Sequence, residues 1–238
     1  MMLNPQIKAV FCARGGYGCS RLLENIEQFA SQLVPKWIVG YSDVTALASF
    51  VVNSMKCHCI HGPMAIDLSF DKKSYDEKSW EFLRNILFGK KTTYNLPSNK
   101  LNRCGNATAP VVGGNLSVMY SLNATPYQWQ TSGNILFIED VGEKLYHLDR
   151  MMLNLRLSGQ LSKLKGLLVG AMNSMLDGEP SFGKTAYEII AYHVEDYHYP
   201  VAFGFPAGHD GLNFPLILGA EMKMEVTEKE LNIEYFDH

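Results

Sequence analysis

Ser42 lies in the stretch KWIVGYSDVTALASF, residues 36–50, where an apolar run ending at Gly40 gives way at once to apolar residues of helical period. A strand that turns directly into a helix reverses sharply over residues 41–43 and pushes the middle side chain outward, which is the geometry of a nucleophile elbow. Such a turn leaves the first helical N–H groups unpaired, so the Asp43 amide is placed to donate to a developing oxyanion. The stretch reads G-Y-S-D rather than G-x-S-x-G, and a serine or aspartate here serves equally well as a helix cap. A serine hydrolase also needs a base and an acid to orient it. Among seven histidines, His209 in FPAGHDGLN follows an apolar strand in a glycine-flanked loop, where scaffolds present functional side chains; a plain surface histidine has the same signature. Glu139 ends the apolar run ILFIE. A carboxylate there needs a partner, either a histidine or a structural cation such as Arg150. Asp140 and Glu143 are rival acids that spacing leaves in play.

Other chemical groupings are weaker. Cys57, Cys59 and His61 alternate along a strand pattern and so share one face, but no second ligand pair follows at a zinc-like spacing, and no metal is expected. The R-G-G-Y-G run lacks both G-K-[ST] and G-x-G-x-x-G, so a nucleotide loop is not expected. Tyr41, Tyr146 and Trp129 read as packing residues, and Met151 and Met152 as core.

The elements that must carry these residues alternate. IKAVFCA is a strand run broken by the glycines of RGGYGCS. A helix is expected next, capped by Ser20, with Leu22, Ile26, Phe29 and Leu33 on one face and Pro35 ending it. KWIVG is a second strand, Val44, Leu47, Ala48, Val51, Val52 and Met55 trace a second helix, and KCHCIHGP is a third strand. This alternation predicts an α/β fold with a parallel sheet over residues 1–68. Residues 69–107 are charged and polar and read as a linker with a helix over 75–87. A second, C-terminal mixed α/β domain is expected over 108–238. Its strands are NILFIED, KGLLVGAM and PVAFGFPAGHD, its helices span 145–157 and 186–197, and EMKMEVTEKELNIEYF closes it as a hairpin.

With 238 residues, 47% hydrophobic, 19% charged and a formal charge of −3, the chain has the composition of an ordinary globular protein. Nothing in that balance points to nucleic acid. Five cysteines without repeated spacing predict free thiols in a reducing compartment. No signal sequence is evident, and no run approaches the ~18 apolar residues of a membrane span. A cytoplasmic protein is expected.

ARGGYGCSRLLENI, PKWIVGYSDVTAL, HGPM, GGNLSVM, ILFIEDVGEKLYHLDRMM and GFPAGHDGLN resemble, in this order, the successive signatures of the bacterial L,D-carboxypeptidases. These are serine peptidases that include the microcin C immunity peptidases. The resemblance implies a Ser42, Glu139 and His209 triad, with the amides of Asp43 and of the turn near Gly16 holding an oxyanion, and with Arg14 and Asn115 touching substrate. It implies a flavodoxin-like N-terminal domain, a mixed C-terminal domain with the active site between them, a homodimer and no cofactor. The implied substrate is a cytoplasmic murein tetrapeptide cut before its terminal D-alanine during cell-wall recycling. A microcin C-type immunity peptidase and a non-catalytic muropeptide-binding homologue are the alternatives. Members usually carry roughly 60 to 70 further residues before R-G-G-Y-G, so a shortened first domain of about three strands with an uncovered edge is expected here.

Overall fold

The structure is a computed structural model in which residues 1–68 and 76–235 are described. Strands β1 (Ala9–Phe11), β2 (Trp37–Val39) and β3 (Cys59–His61) run parallel in one sheet. The α/β reading with a parallel N-terminal sheet is thus realised, and β1 stands at its edge. The helix expected from Ser20 onward is instead broken into a 3-10 turn (Cys19–Leu22), α1 (Leu23–Glu27) and a second 3-10 turn (Ala30–Gln32). Gly18, in left-handed conformation, starts the first turn, so Ser20 lies inside it and caps nothing. Leu22 and Phe29 are exposed and only Leu23 is deeply buried. A short helix without a continuous face to bury has little to propagate it.

Helix α2 (Val44–Asn53) follows β2 and is buried almost all round, through Val44, Ala46, Ala48, Phe50 and Val51. A one-turn helix (Ala65–Leu68) follows β3, and α3 (Glu77–Leu87) is capped by Asp76, which accepts the Ser79 N–H. Tyr75, where this helix was expected to start, lies outside the described residues. The segment read as a linker also contributes β4 (Thr93–Pro97) to a second sheet.

That sheet continues with β5 (Gly105–Asn115), β6 (Ile135–Val141), β7 (Gly166–Asn173) and β8 (Val201–Phe203), parallel to one another. Helices α4 (Leu116–Leu122), α5 (Leu145–Leu157) and α6 (Ala186–His193) connect them. α6 ends four residues before the expected limit, and the strand expected through Asp210 stops at Phe203. In β6, Ile135, Leu136, Phe137 and Ile138 are wholly buried, as in a parallel strand covered on both faces, each side chain stabilising by about 1.5–3 kcal/mol. Strand β9 (Leu216–Leu218) crosses back to pair antiparallel with β3. The chain closes, as expected, with a hairpin of β10 (Glu221–Val226) and β11 (Glu230–Tyr235), packed between β5 and β4; Phe236 of the expected hairpin lies outside the described residues.

Helix α2 helps to couple the two sheets through two hydrogen bonds. The Asn115 N–H, at the end of β5, donates to Thr45 Oγ1 of α2 at 2.9 Å. The Ser49 hydroxyl, one turn further along, donates to the Tyr127 carbonyl at 2.6 Å. Thr45 and Asn115 are both buried, so loss of the Thr45 hydroxyl strands a main-chain donor. Thr45→Val is expected to lower the unfolding free energy by about 1–3 kcal/mol, measured as a fall in the urea midpoint without a change in slope.

Candidate active site

The Gly40 N–H donates to the Ile60 carbonyl, closing the β2–β3 edge, and the chain then reverses. Ser42 adopts φ 62°, a left-handed conformation that an L-residue holds at a cost of about 1–3 kcal/mol and that concentrates at functional turns. The Thr45 N–H donates to the Ser42 carbonyl at 2.9 Å, starting α2 immediately. A β-carbon on Gly15 would lie 3.0 Å from Ser42 Oγ, so a glycine lets the loop after β1 pass beside the hydroxyl. The main-chain N–H groups of Asp43 and Gly16 make no hydrogen bond with described residues. The elbow expected from the sequence is present as a backbone shape.

A cap on α2 from Ser42 or Asp43 was the alternative reading of this turn, and Asp43 does not provide one. It is already in right-handed helical conformation and makes no cap to its own helix, because a capping residue needs an extended backbone for its side chain to fold back. Its carboxylate instead accepts the Cys19 N–H at 3.0 Å, tying the first 3-10 turn to the elbow. Ser42 Oγ likewise caps nothing and has no hydrogen-bond partner among the described residues.

Of the three candidate carboxylates, Glu139 is the one paired with His209. Glu139, near the end of β6, is 0% exposed and its Oε2 lies 2.8 Å from His209 Nδ1. With the carboxylate ionised, Nδ1 carries the proton and donates, leaving Nε2 as the free lone pair of the neutral ring. Asp140 is also buried, but it accepts from Asn115 Nδ2, the Ser117 N–H and the Val141 N–H. Glu143 pairs with His147. Arg150 does not meet Glu139; its guanidinium lies over the Tyr146 ring.

The His209 loop is held from several sides. The Gly208 N–H donates to Asn213 Oδ1 at 3.1 Å, the Asn213 N–H to Ser79 Oγ at 3.0 Å, and Asn173 Nδ2 to the His209 carbonyl at 3.1 Å. Gly208 has φ 118°, and a β-carbon there would lie 2.6 Å from Glu139 Oε2; a side chain would displace the carboxylate from the ring. The Tyr41 ring, next to Ser42, packs edge-on against His209 at 4.9 Å between centroids. Its hydroxyl donates to Asp67 Oδ1 at 3.3 Å, and Asp67 Oδ2 accepts the Met64 N–H. These residues border a cleft of about 240 Å³, lined also by Asp76, Trp80 and Asn213.

Burial disfavours the His209 imidazolium. The hydrogen bond and charge of Glu139, with the charges of Asp140 and Asp67, outweigh that and raise its pKa above the ordinary value. For Asp140, burial dominates and lifts the carboxyl to about 6.

Glu139 and His209 are thus brought together from distant segments, and Tyr41, the residue before Ser42, packs against the His209 ring. Arg14 is exposed on the loop after β1, and Gly16 lies in the same loop at φ 134°. Asn115 is 4% exposed with its side chain fully engaged: Oδ1 takes the Val118 N–H and Ser117 hydroxyl, and Nδ2 donates to Asp140. It caps α4 rather than reaching open space. Tyr41, read from sequence as packing, belongs to the site, and Asp67 and Asn213 were not singled out at all. Tyr41 stands beside Ser42 in G-Y-S-D and Asn213 ends G-H-D-G-L-N, so adjacency to the chemical residues was the available signal. Tyr146 is 49% exposed and is not core, whereas Trp129, Met151 and Met152 are buried as expected. Cys59 Sγ meets the Ile38 carbonyl and Cys57 Sγ the Met55 carbonyl, and the described residues contain no cluster of three metal-ligating side chains.

Residues 1–62 match the LD-carboxypeptidase N-terminal domain and residues 108–224 the LD-carboxypeptidase C-terminal domain. A putative carboxypeptidase of Synechocystis sp. is 36% identical over 227 residues, 94% of this chain and 71% of its own length. The probable murein peptide carboxypeptidase of Bacillus subtilis is 30% identical, covering 98% of this chain and 74% of its own. The solved muramoyltetrapeptide carboxypeptidase of Oxalobacter formigenes superposes with a TM-score of 0.87 at 26% identity, over 99% of this chain and 79% of that one.

Because His209 is raised in the folded chain, its charge attraction to Glu139 is fully present below the unfolded imidazole value of about 6.5 and is lost as pH rises through the folded value. Glu139→Gln removes the attraction and leaves the burial. NMR titration of the His209 ring is expected to give a midpoint above about 6.5 in the native chain and below it in Glu139→Gln.

Proposed function

The chain belongs to the LD-carboxypeptidase family; from that premise we propose that it is a serine peptidase releasing the terminal D-alanine of a murein tetrapeptide at an L,D-peptide bond. The observation that carries this reading is the buried Glu139–His209 pair beside the left-handed Ser42 turn. Ser42 Oγ attacks the carbonyl carbon of the scissile bond while His209 Nε2 takes its proton. The intermediate oxyanion accepts from the Asp43 amide and from the turn at Gly16, donors that no other described group occupies. Collapse breaks the C–N bond, and the D-alanine amine leaves with the proton from Nε2. Water, deprotonated by the same nitrogen, then releases the shortened peptide from Ser42.

Glu139 stabilises the imidazolium formed in both steps and holds Nδ1 in the donating tautomer. A wholly buried carboxylate with one imidazole partner suits that task better than Asp140, which is already saturated by donors. Arg14, exposed beside the elbow, is the group we assign to the substrate's terminal carboxylate, where a guanidinium pairs in bidentate fashion. Asn115 serves the site by joining β5, α4 and Asp140. The reading includes a cytoplasmic setting in cell-wall recycling and a homodimer; no helix among the described residues is long and apolar enough to cross a membrane.

Incubation of the purified chain with a murein tetrapeptide, followed by mass spectrometry of released D-alanine, tests the proposal. Ser42→Ala is expected to lower kcat by about 10³-fold or more with little change in KM. Release unaffected by Ser42→Ala would overturn the assignment of the nucleophile. Tetrapeptide binding without release would make the chain a non-catalytic homologue. Preferential cleavage of an acyl-sulfamoyl adenylate would move it to the microcin-type activity.

A further inference from the structure

Three buried polar atoms close to the Glu139–His209 pair have no hydrogen-bond partner among the described residues: Glu139 Oε1, His61 Nε2 and Asn213 Nδ2. His61 ends β3 and is 1% exposed. Its ring packs edge-on against Phe137 at 4.8 Å, and Phe137 precedes Glu139 by two residues on β6, so both side chains leave the same face of the strand. Tyr41 packs against both imidazoles, at 5.9 Å from His61 and 4.9 Å from His209. The titratable groups acting on His61 are thus Glu139 and His209, with the Tyr41 phenol beside it.

We propose that His61 is a positioning residue for this pair: in the working protein a small adjustment of its ring brings Nε2–H onto the carboxylate oxygen Oε1 that is unpartnered here, and so fixes how Glu139 presents Oε2 to the imidazole. The inference rests on the triad reading above. An ionised carboxylate only accepts, and a neutral imidazole offers one N–H, so the two orphaned atoms are complementary. His61 is neutral at working pH, because burial, reinforced by the charge of His209, outweighs the pull of Glu139 and lowers its pKa to about 4. Asn213 is the other buried donor, but its Oδ1 is committed to the Gly208 N–H and its main chain to Ser79. Its place is in the His209 loop, whereas the charges of Glu139 and His209 act directly on His61.

His61→Gln and His61→Met compare near-isosteric side chains of which only glutamine keeps a neutral donor. Loss of a donor to an anion raises the proton affinity of the pair. NMR titration of His209 without substrate is therefore expected to move up by about half a pH unit or more in His61→Met and to stay near the native value in His61→Gln. In turnover, His61→Met is expected to lower kcat about tenfold at unchanged KM, with the acid limb of the pH profile shifted the same way and glutamine restoring both. Should His61→Met not fold, His61→Phe keeps the ring packing without the donor and supplies the comparison. A His209 midpoint identical in native, glutamine and donor-less chains would overturn the inference. The NMR readout needs no turnover, so an inactive chain would count against the proposed function alone.

Discussion

Glu139 is an ionisable group with no solvent at all, near the end of a strand whose preceding side chains are all apolar. A carboxylate in that position is tolerable only if something meets it, and the requirement organises the surrounding fold. His209 must come to it, so the segment after β8 cannot run on as a strand; it leaves the sheet after Phe203 and turns through Gly204 and Gly208. Gly208 must lack a side chain, because a β-carbon would occupy the space of Oε2. The loop then continues through Asn213 into β9, which returns to the first sheet beside β3.

That return carries the other half of the site. β9 pairs with β3, β3 with β2, and β2 ends at the turn that holds Ser42. From the opposite direction, Asn115 pairs with Glu139 in the β5–β6 register and donates its N–H to Thr45, three residues beyond Ser42. The serine turn and the carboxylate are thus joined through two independent routes of buried hydrogen bonds, so neither sheet can shift without straining the other. The left-handed conformation of Ser42 is sustained by this framework.

Much of this was legible along the chain. Apolar period located β2, α2, β6, α5 and β7 within a few residues, because these elements bury a regular face or both faces. The stretch after Gly18 was misread as one helix because its apolar spacing is helical while its surroundings offer no matching surface. The segment 69–107 was read as a linker, yet β4 lies there: an edge strand with alternate exposed residues carries little apolar signal. Asp43 was offered as a cap by local order and Asn115 as a substrate contact by family resemblance, and their side chains were then claimed by Cys19 and by Asp140 and α4.

Residue type and local order were enough to nominate Ser42, His209 and a carboxylate near 139, and the family motifs reduced three acids to one. Those are properties of short segments, set by period, turn chemistry and the cost of burying charge. Which carboxylate faces which ring, where Tyr41 and His61 stand, and which polar side chains are already spent depend on contacts between residues up to about 170 positions apart, as between Tyr41 and His209. Only the packing of two sheets brings such groups within the few ångströms over which hydrogen bonds and charges act.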